Sequence, residues 1–131
     1  MVSIFEQRNA PEIIRRGLRV LLPDHRFLAS TNPTLDPFEE TYVTVISAGS
    51  PGGSSVTDSE NVHITVYAGY EPVARDLAVL IDGLLLSPSI DWGFSISPGP
   101  GWITAPDDAT KGFLAAITVV AASPKNERLL Q

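Results

Sequence analysis

An α+β fold, with two helices packed on one face of a mainly antiparallel sheet in the order α-β-β-β-α-β-β, is predicted for this 131-residue chain by three observations. Segments 10–22 and 71–86 repeat their apolar residues at the helical period. Segment 61–68 alternates apolar and polar residues one by one, and 112–122 is apolar on both faces. A glycine-rich stretch at 49–55 joins two strand-like runs with no helix between them, so those strands pair antiparallel.

The first helix places Ile13, Ile14, Leu18, Leu21 and Leu22 on one stripe, with Arg15, Arg16 and Arg19 mostly off it. Asn9 is an N-cap, Pro11 suits the first turn because its missing N–H would be unpaired there, and Pro23 stops the helix. A short strand follows at 25–30. Residues 31–40, with Asn32-Pro33 and Pro37, read as an extended polar excursion. The run 41–48 is a strand rich in β-branched and aromatic residues, and Gly49–Ser55 cannot continue it. In 61–68, Val62, Ile64, Val66 and Ala68 face the core while His63, Thr65 and Tyr67 face away. The second helix, 71–86, has Pro72 in its first turn and Ala74, Leu77, Ala78, Ile81, Leu84 and Leu85 on its core face. A strand at 92–97, a loop at 97–110 and a final strand at 112–122 complete the domain. Residues 123–131 read as a tail, free or ordered by a partner.

Composition narrows the function. Hydrophobic residues make up 44% of the chain, enough for a core. No apolar run approaches the ~18 residues of a membrane span, so no membrane partner is expected. The opening Met1-Val-Ser-Ile-Phe-Glu has neither a basic leader nor an apolar signal core, so no secretory leader is expected. Cysteine is absent, which excludes disulfides, thiol nucleophiles and thiolate metal sites. The net charge of −6 divides into +2 over residues 1–30 and −8 over the rest. Specific nucleic-acid binding needs a basic face and is not expected. The opposed charges have two readings: self-association, a basic helix meeting an acidic edge of the next subunit, or an ordinary solvated helix face.

No motif points to chemistry. The glycine-rich loop lacks the lysine and following helix of a phosphate-binding loop. His25 and His63 stand alone, without the further ligands a metal needs. No Gly-x-Ser-x-Gly elbow appears, and the acids at 36–40 and 107–108 lie in loops. The expectation is therefore no enzyme, no cofactor and no metal. One reading from a different class stays open, a small-molecule or catalytic site on the polar sheet face around His63 and Tyr67.

The succession Asn32-Pro33, Asp36-Pro37-Phe38, Tyr42-Val-Thr-Val-Ile-Ser-Ala-Gly49 and Val62-His-Ile-Thr-Val-Tyr-Ala68 leads into Glu71-Pro-Val-Ala-Arg-Asp-Leu-Ala78. After it come Ser97-Pro-Gly-Pro-Gly101, Pro106-Asp-Asp108 and a long last strand. This order resembles the tail terminator proteins of long-tailed bacteriophages, especially those of actinobacteria. The resemblance covers nearly the whole chain and rests on pattern and order. It implies a virion protein without catalysis that forms a ring, usually a hexamer. The ring caps the head-proximal end of the tail tube, stops its polymerisation and meets the head connector, while DNA passes through without being held. A neighbouring head–tail joint protein is the alternative. On this reading the contacts fall on Arg15, Arg16 and Arg19 of the basic helix, Gly52, Gly53, Asp58 and Glu60 of the first loop, Trp92 and Trp102 about the Pro-Gly-Pro-Gly turn, and Asp107 and Asp108. The loops at 49–60 and 97–110 are expected to gain order from neighbours.

Overall fold

The computed structural model describes residues 2–6, 9–30, 34–49, 52–53, 57–99, 101–124 and 126–130. In chain order these form β1 (Val2–Glu6), α1 (Ala10–Leu21), β2 (Arg26–Leu28), β3 (Tyr42–Ser47), β4 (Gly52–Gly53), β5 (Thr57–Ala68), α2 (Glu71–Leu86), β6 (Ser95–Pro98), β7 (Ile103–Pro106), β8 (Phe113–Pro124) and β9 (Asn126–Leu130). The α+β class holds, and the expected order matches roughly, with β1, β4, β7 and β9 added to it.

The main sheet runs β2-β3-β5-β8-β6, with β4 on β5 and β7 on β8. All its pairs are antiparallel except β2 with β3. Register explains the layering. Val45 lies opposite Ile64 and Val43 opposite Val66, while Val62, Ile64 and Val66 lie opposite Val119, Ile117 and Ala115. Because strand side chains alternate, these residues share one face. That face is buried in a single core with Ile14 and Leu18 of α1 and Ala74, Leu77, Ala78, Ile81 and Leu85 of α2. Both helices therefore cover the same side of the sheet.

The local signals act as anticipated at α1. The Asn9 side-chain oxygen accepts from the Glu12 N–H at 3.2 Å, and the Leu22 N–H returns to the Leu18 carbonyl at 2.7 Å before Pro23. Leu21 departs from the expected stripe: with Val20 it is exposed, since burial of Ala10, Pro11, Ile14 and Leu18 turns the last residues outward.

Three expectations about the loops and the tail are corrected. The loop at 97–110 contains β7, which pairs with β8 immediately beyond β6. Four residues, 99–102, stand between the two pairings against only Ile117 and Thr118 on β8, so β6 and β7 are one edge strand broken by a bulge. The bulge needs Gly99: its N–H donates to the Thr118 carbonyl at 2.9 Å, and a Cβ there would lie 2.5 Å from that same oxygen. The loop at 49–60 likewise holds β4 and the start of β5, while residues 50, 51 and 54–56 lie outside the described residues. Residues 126–130, read as a tail, pair with β1 as a separate two-stranded sheet. Asn32 and Pro33 lie outside the described residues.

Candidate functional site

The expected contact residues divide into those the subunit uses internally and those it leaves on its surface. Arg15 and Arg19 belong to the first group. An Arg15 guanidinium nitrogen donates to the Val45 carbonyl at 2.8 Å, and one of Arg19 to the Phe27 carbonyl at 2.6 Å. Both arginines tie α1 to the β2–β3 edge, and their charge satisfies strand carbonyls. Arg16 alone of the three points away, paired with Glu12 one turn earlier in an exposed ion pair.

Trp92, expected at an interface, lies inside the subunit at 8% exposure. Its indole N–H donates to the Leu84 carbonyl at 3.3 Å, and its ring covers the Cα of Gly17. The indole thus wedges α1 against α2, so of the two readings open for Trp92, an interface anchor or local packing, the second holds. Asp107 is also engaged at home. Its carboxylate accepts from the Ala109 N–H at 3.2 Å and the Thr110 hydroxyl at 2.7 Å. The turn closes with the Asp107 N–H on the Gly112 carbonyl and with Lys111 in the left-handed region at φ 66°. Asp108 is exposed beside it. Gly52 and Gly53 pair with Ser59 and Asp58, the side chain of Asp58 lying outside the description, and Glu60 is half-buried in β5 opposite Ala121.

Trp102 is different. It sits in the bulge, 41% exposed, with the Arg75 guanidinium carbon 5.5 Å from its ring centroid. Beneath it, between α2 and the edge strand, are two adjoining hollows of about 110 Å³ each that share Trp102, Asp82 and Ile117. Val73, Val79 and Leu80 along α2, and Tyr70 with Phe38 at its start, are exposed as well. The Phe38 and Tyr70 rings meet edge to face, 6.0 Å apart. Six large apolar side chains therefore surround a helix whose inner side is already buried in the core. Sequence reasoning missed this surface. Its signal was present in Val73, Val79 and Leu80, which lie off the core stripe of α2.

The sheet face opposite the helices is the second surface. By register it carries Thr44, Ile46, Asn61, His63, Thr65, Leu114, Ala116, Thr118 and Val120, none of them charged. His63 is exposed and its Nδ1 lies 2.8 Å from the Thr118 hydroxyl. At one end Tyr42 and Tyr67 stack at 4.9 Å. Tyr42 is fully buried, and its hydroxyl has no hydrogen-bond partner among the described residues. Burial first, then Tyr67, Asp107 and Asp36 nearby, raises its pKa above the ordinary tyrosine range. The small-molecule reading of this face needs a deep enclosure, and the hollows under Trp102 lie on the other side of the sheet.

Among the described residues no group of three or more His, Asp or Glu is placed to hold a metal ion, and no helix is long and apolar enough to cross a membrane. No protein-family model matches the chain, and no curated protein matches it. What the fold and surfaces define is a two-layer α+β subunit with exposed apolar side chains among the charges of the outer side of α2, and a mostly uncharged opposite sheet face on which Tyr42 and Thr44 are buried.

Proposed function

We propose that this chain is a structural virion subunit, a tail terminator that assembles into a hexameric ring at the head-proximal end of a phage tail tube. Its role is to stop tube growth and to join the tail to the head connector, by binding and without a chemical step. The observation that carries the reading is the exposed apolar surface along α2 and Trp102, on a chain that uses Arg15, Arg19, Trp92 and Asp107 for its own packing. Apolar patches of this kind mark association sites. A ring further requires two unlike surfaces on each subunit, so that rotation closes it. The order of elements, with β5 ending in Tyr67-Ala68 directly before α2, supports the family reading.

The test is native mass spectrometry across concentrations, with and without tail-tube protein. A sixfold ring, alone or induced by the tube, is expected. A twelvefold ring would favour a connector at the same joint. A monomer under every condition would overturn the proposal.

A further inference from the structure

We propose that the hollow beneath Trp102 receives the outer ridge of α1 from a second copy of this chain, with Arg16 of that copy meeting Asp82. The proposal rests on the ring reading and names its contact.

Three features point to this occupant. The first is size. Two adjoining spaces of about 110 Å³ each hold three or four waters apiece at ~30 Å³ per water. That suits the ends of side chains and falls below the ~300 Å³ of a small-molecule pocket. The second is charge. Asp82 is half-buried in the lining of both hollows, with no ion pair among the described residues. The net positive charge of the chain lies in its first thirty residues. With Arg15 and Arg19 committed to carbonyls, Arg16 is the arginine of α1 left to reach a partner. Its present pair with Glu12 is exposed on both sides, 70% and 42%, and such a pair gives way at little cost. The third is shape and polarity. Val20 follows Arg16 at i+4 on the same ridge and is 79% exposed, with Leu21 beside it at 40%. A convex ridge of Arg16 with its Glu12 partner and two apolar side chains meets a concave site of one carboxylate, an indole that carries the Arg75 guanidinium, and Val79. Ridge and hollow are different surfaces of one subunit, as a closed ring requires.

A charge-swap experiment tests this, reading ring assembly by native mass spectrometry and analytical ultracentrifugation. Arg16→Asp and Asp82→Arg should each raise the concentration for half-assembly at least tenfold, and the double variant should return it to within a few-fold of wild type. Val20→Asp should weaken assembly similarly. All three positions are at least partly exposed, and circular dichroism confirms folding before assembly is scored. Trp102 fluorescence should shift to the blue as wild-type rings form. Rings that form normally in both single variants would overturn this contact and leave the ring reading intact. Single variants that form rings but no longer capture tail-tube protein would also overturn it, assigning the hollow to the tube. Two weakened singles without rescue in the double would overturn the Arg16–Asp82 pairing. A wild-type chain that stays monomeric with and without the tube would defeat both readings together.

Discussion

Replacing Gly17 by alanine should destabilise the subunit, although alanine is the better helix former. In a free helix interior the change gains about 1 kcal/mol. Here a Cβ on residue 17 would lie 3.0 Å from Cη2 and 3.1 Å from Cε3 of Trp92, and closer still to Cζ3. The indole has little room to retreat, being 8% exposed and bonded to the Leu84 carbonyl. Overpacking of this kind costs about 1–3 kcal/mol, and displacing the indole N–H forfeits a further ~1 kcal/mol. The net expectation is a loss of about 1–3 kcal/mol. Trp92→Leu should itself cost somewhat less than the ~3–5 kcal/mol of a Trp→Ala truncation. In that background Gly17→Ala should become stabilising by up to about 1 kcal/mol, because only the helical preference remains. The sign therefore reverses between backgrounds, a coupling of about 2–4 kcal/mol. Urea denaturation followed by far-UV circular dichroism, at a fixed subunit concentration, measures all four proteins of the cycle. A Gly17→Ala variant as stable as the parent, with Trp92 present, would refute the wedge.

Three other perturbations follow from the same packing. Arg15→Ala and Arg19→Ala should each cost about 1 kcal/mol by leaving a strand carbonyl unpaired, whereas Arg16→Ala should stay within about 0.5 kcal/mol; parallel melts of the three variants would expose an equal effect as a failure. Tyr42→Phe should be neutral or stabilising by up to about 1 kcal/mol, because a buried hydroxyl without a partner is removed. Since the folded pKa of Tyr42 lies above the unfolded value of about 10, stability should fall as pH rises past 10, and less so in Tyr42→Phe; identical alkaline titrations would contradict this. Asp107→Ala should cost about 1–2 kcal/mol, as loss of a cap does, against at most about 0.5 kcal/mol for Asp108→Ala, and thermal unfolding of the pair would separate them.

What could be read in the sequence was local. The alternation of Val62, Ile64, Val66 and Ala68, the stripe of α2 and the Asn9 cap each act through neighbours a few residues away, so spacing reveals them. Long-range partners left no such trace. Arg15 reaches a carbonyl thirty positions on, Trp92 finds Gly17 across seventy-five, and β1 pairs with β9 from the opposite end of the chain. A run of arginines reads as a charged face whether or not its carbonyl partners are known. The short β7 was hidden by its flanks, because Pro-Gly-Pro-Gly before it and Pro106-Asp-Asp after it are turn signals. The residues of the proposed contact were half legible: Arg16 and Trp102 were picked out, while Asp82, Val20 and the apolar outer side of α2 were not.

The edges of the main sheet bear on how copies can meet. An open edge adds a strand only if its outward N–H and carbonyl groups are free. On the β6–β7 side, the N–H of Gly99 donates to Thr118 of β8 and that of Asp107 to Gly112 just before β8, both turned inward. Alternation therefore turns the nitrogens of Pro98 and Pro106 outward, where proline has no hydrogen to donate. The bulge at 99–102 interrupts the same edge. On the other side β2 is three residues long, and the Val45 carbonyl beyond it is taken by Arg15. Both edges of this sheet are therefore interrupted, and on the proposed ring reading copies are expected to meet through faces and side chains and not by lengthening the main sheet. Strand addition would depend on backbone pairing and tolerate charge reversal at an exposed helix position. Contact between the α1 ridge and the Trp102 hollow would not, and for that reason the swap of Arg16 and Asp82 distinguishes the two modes of assembly.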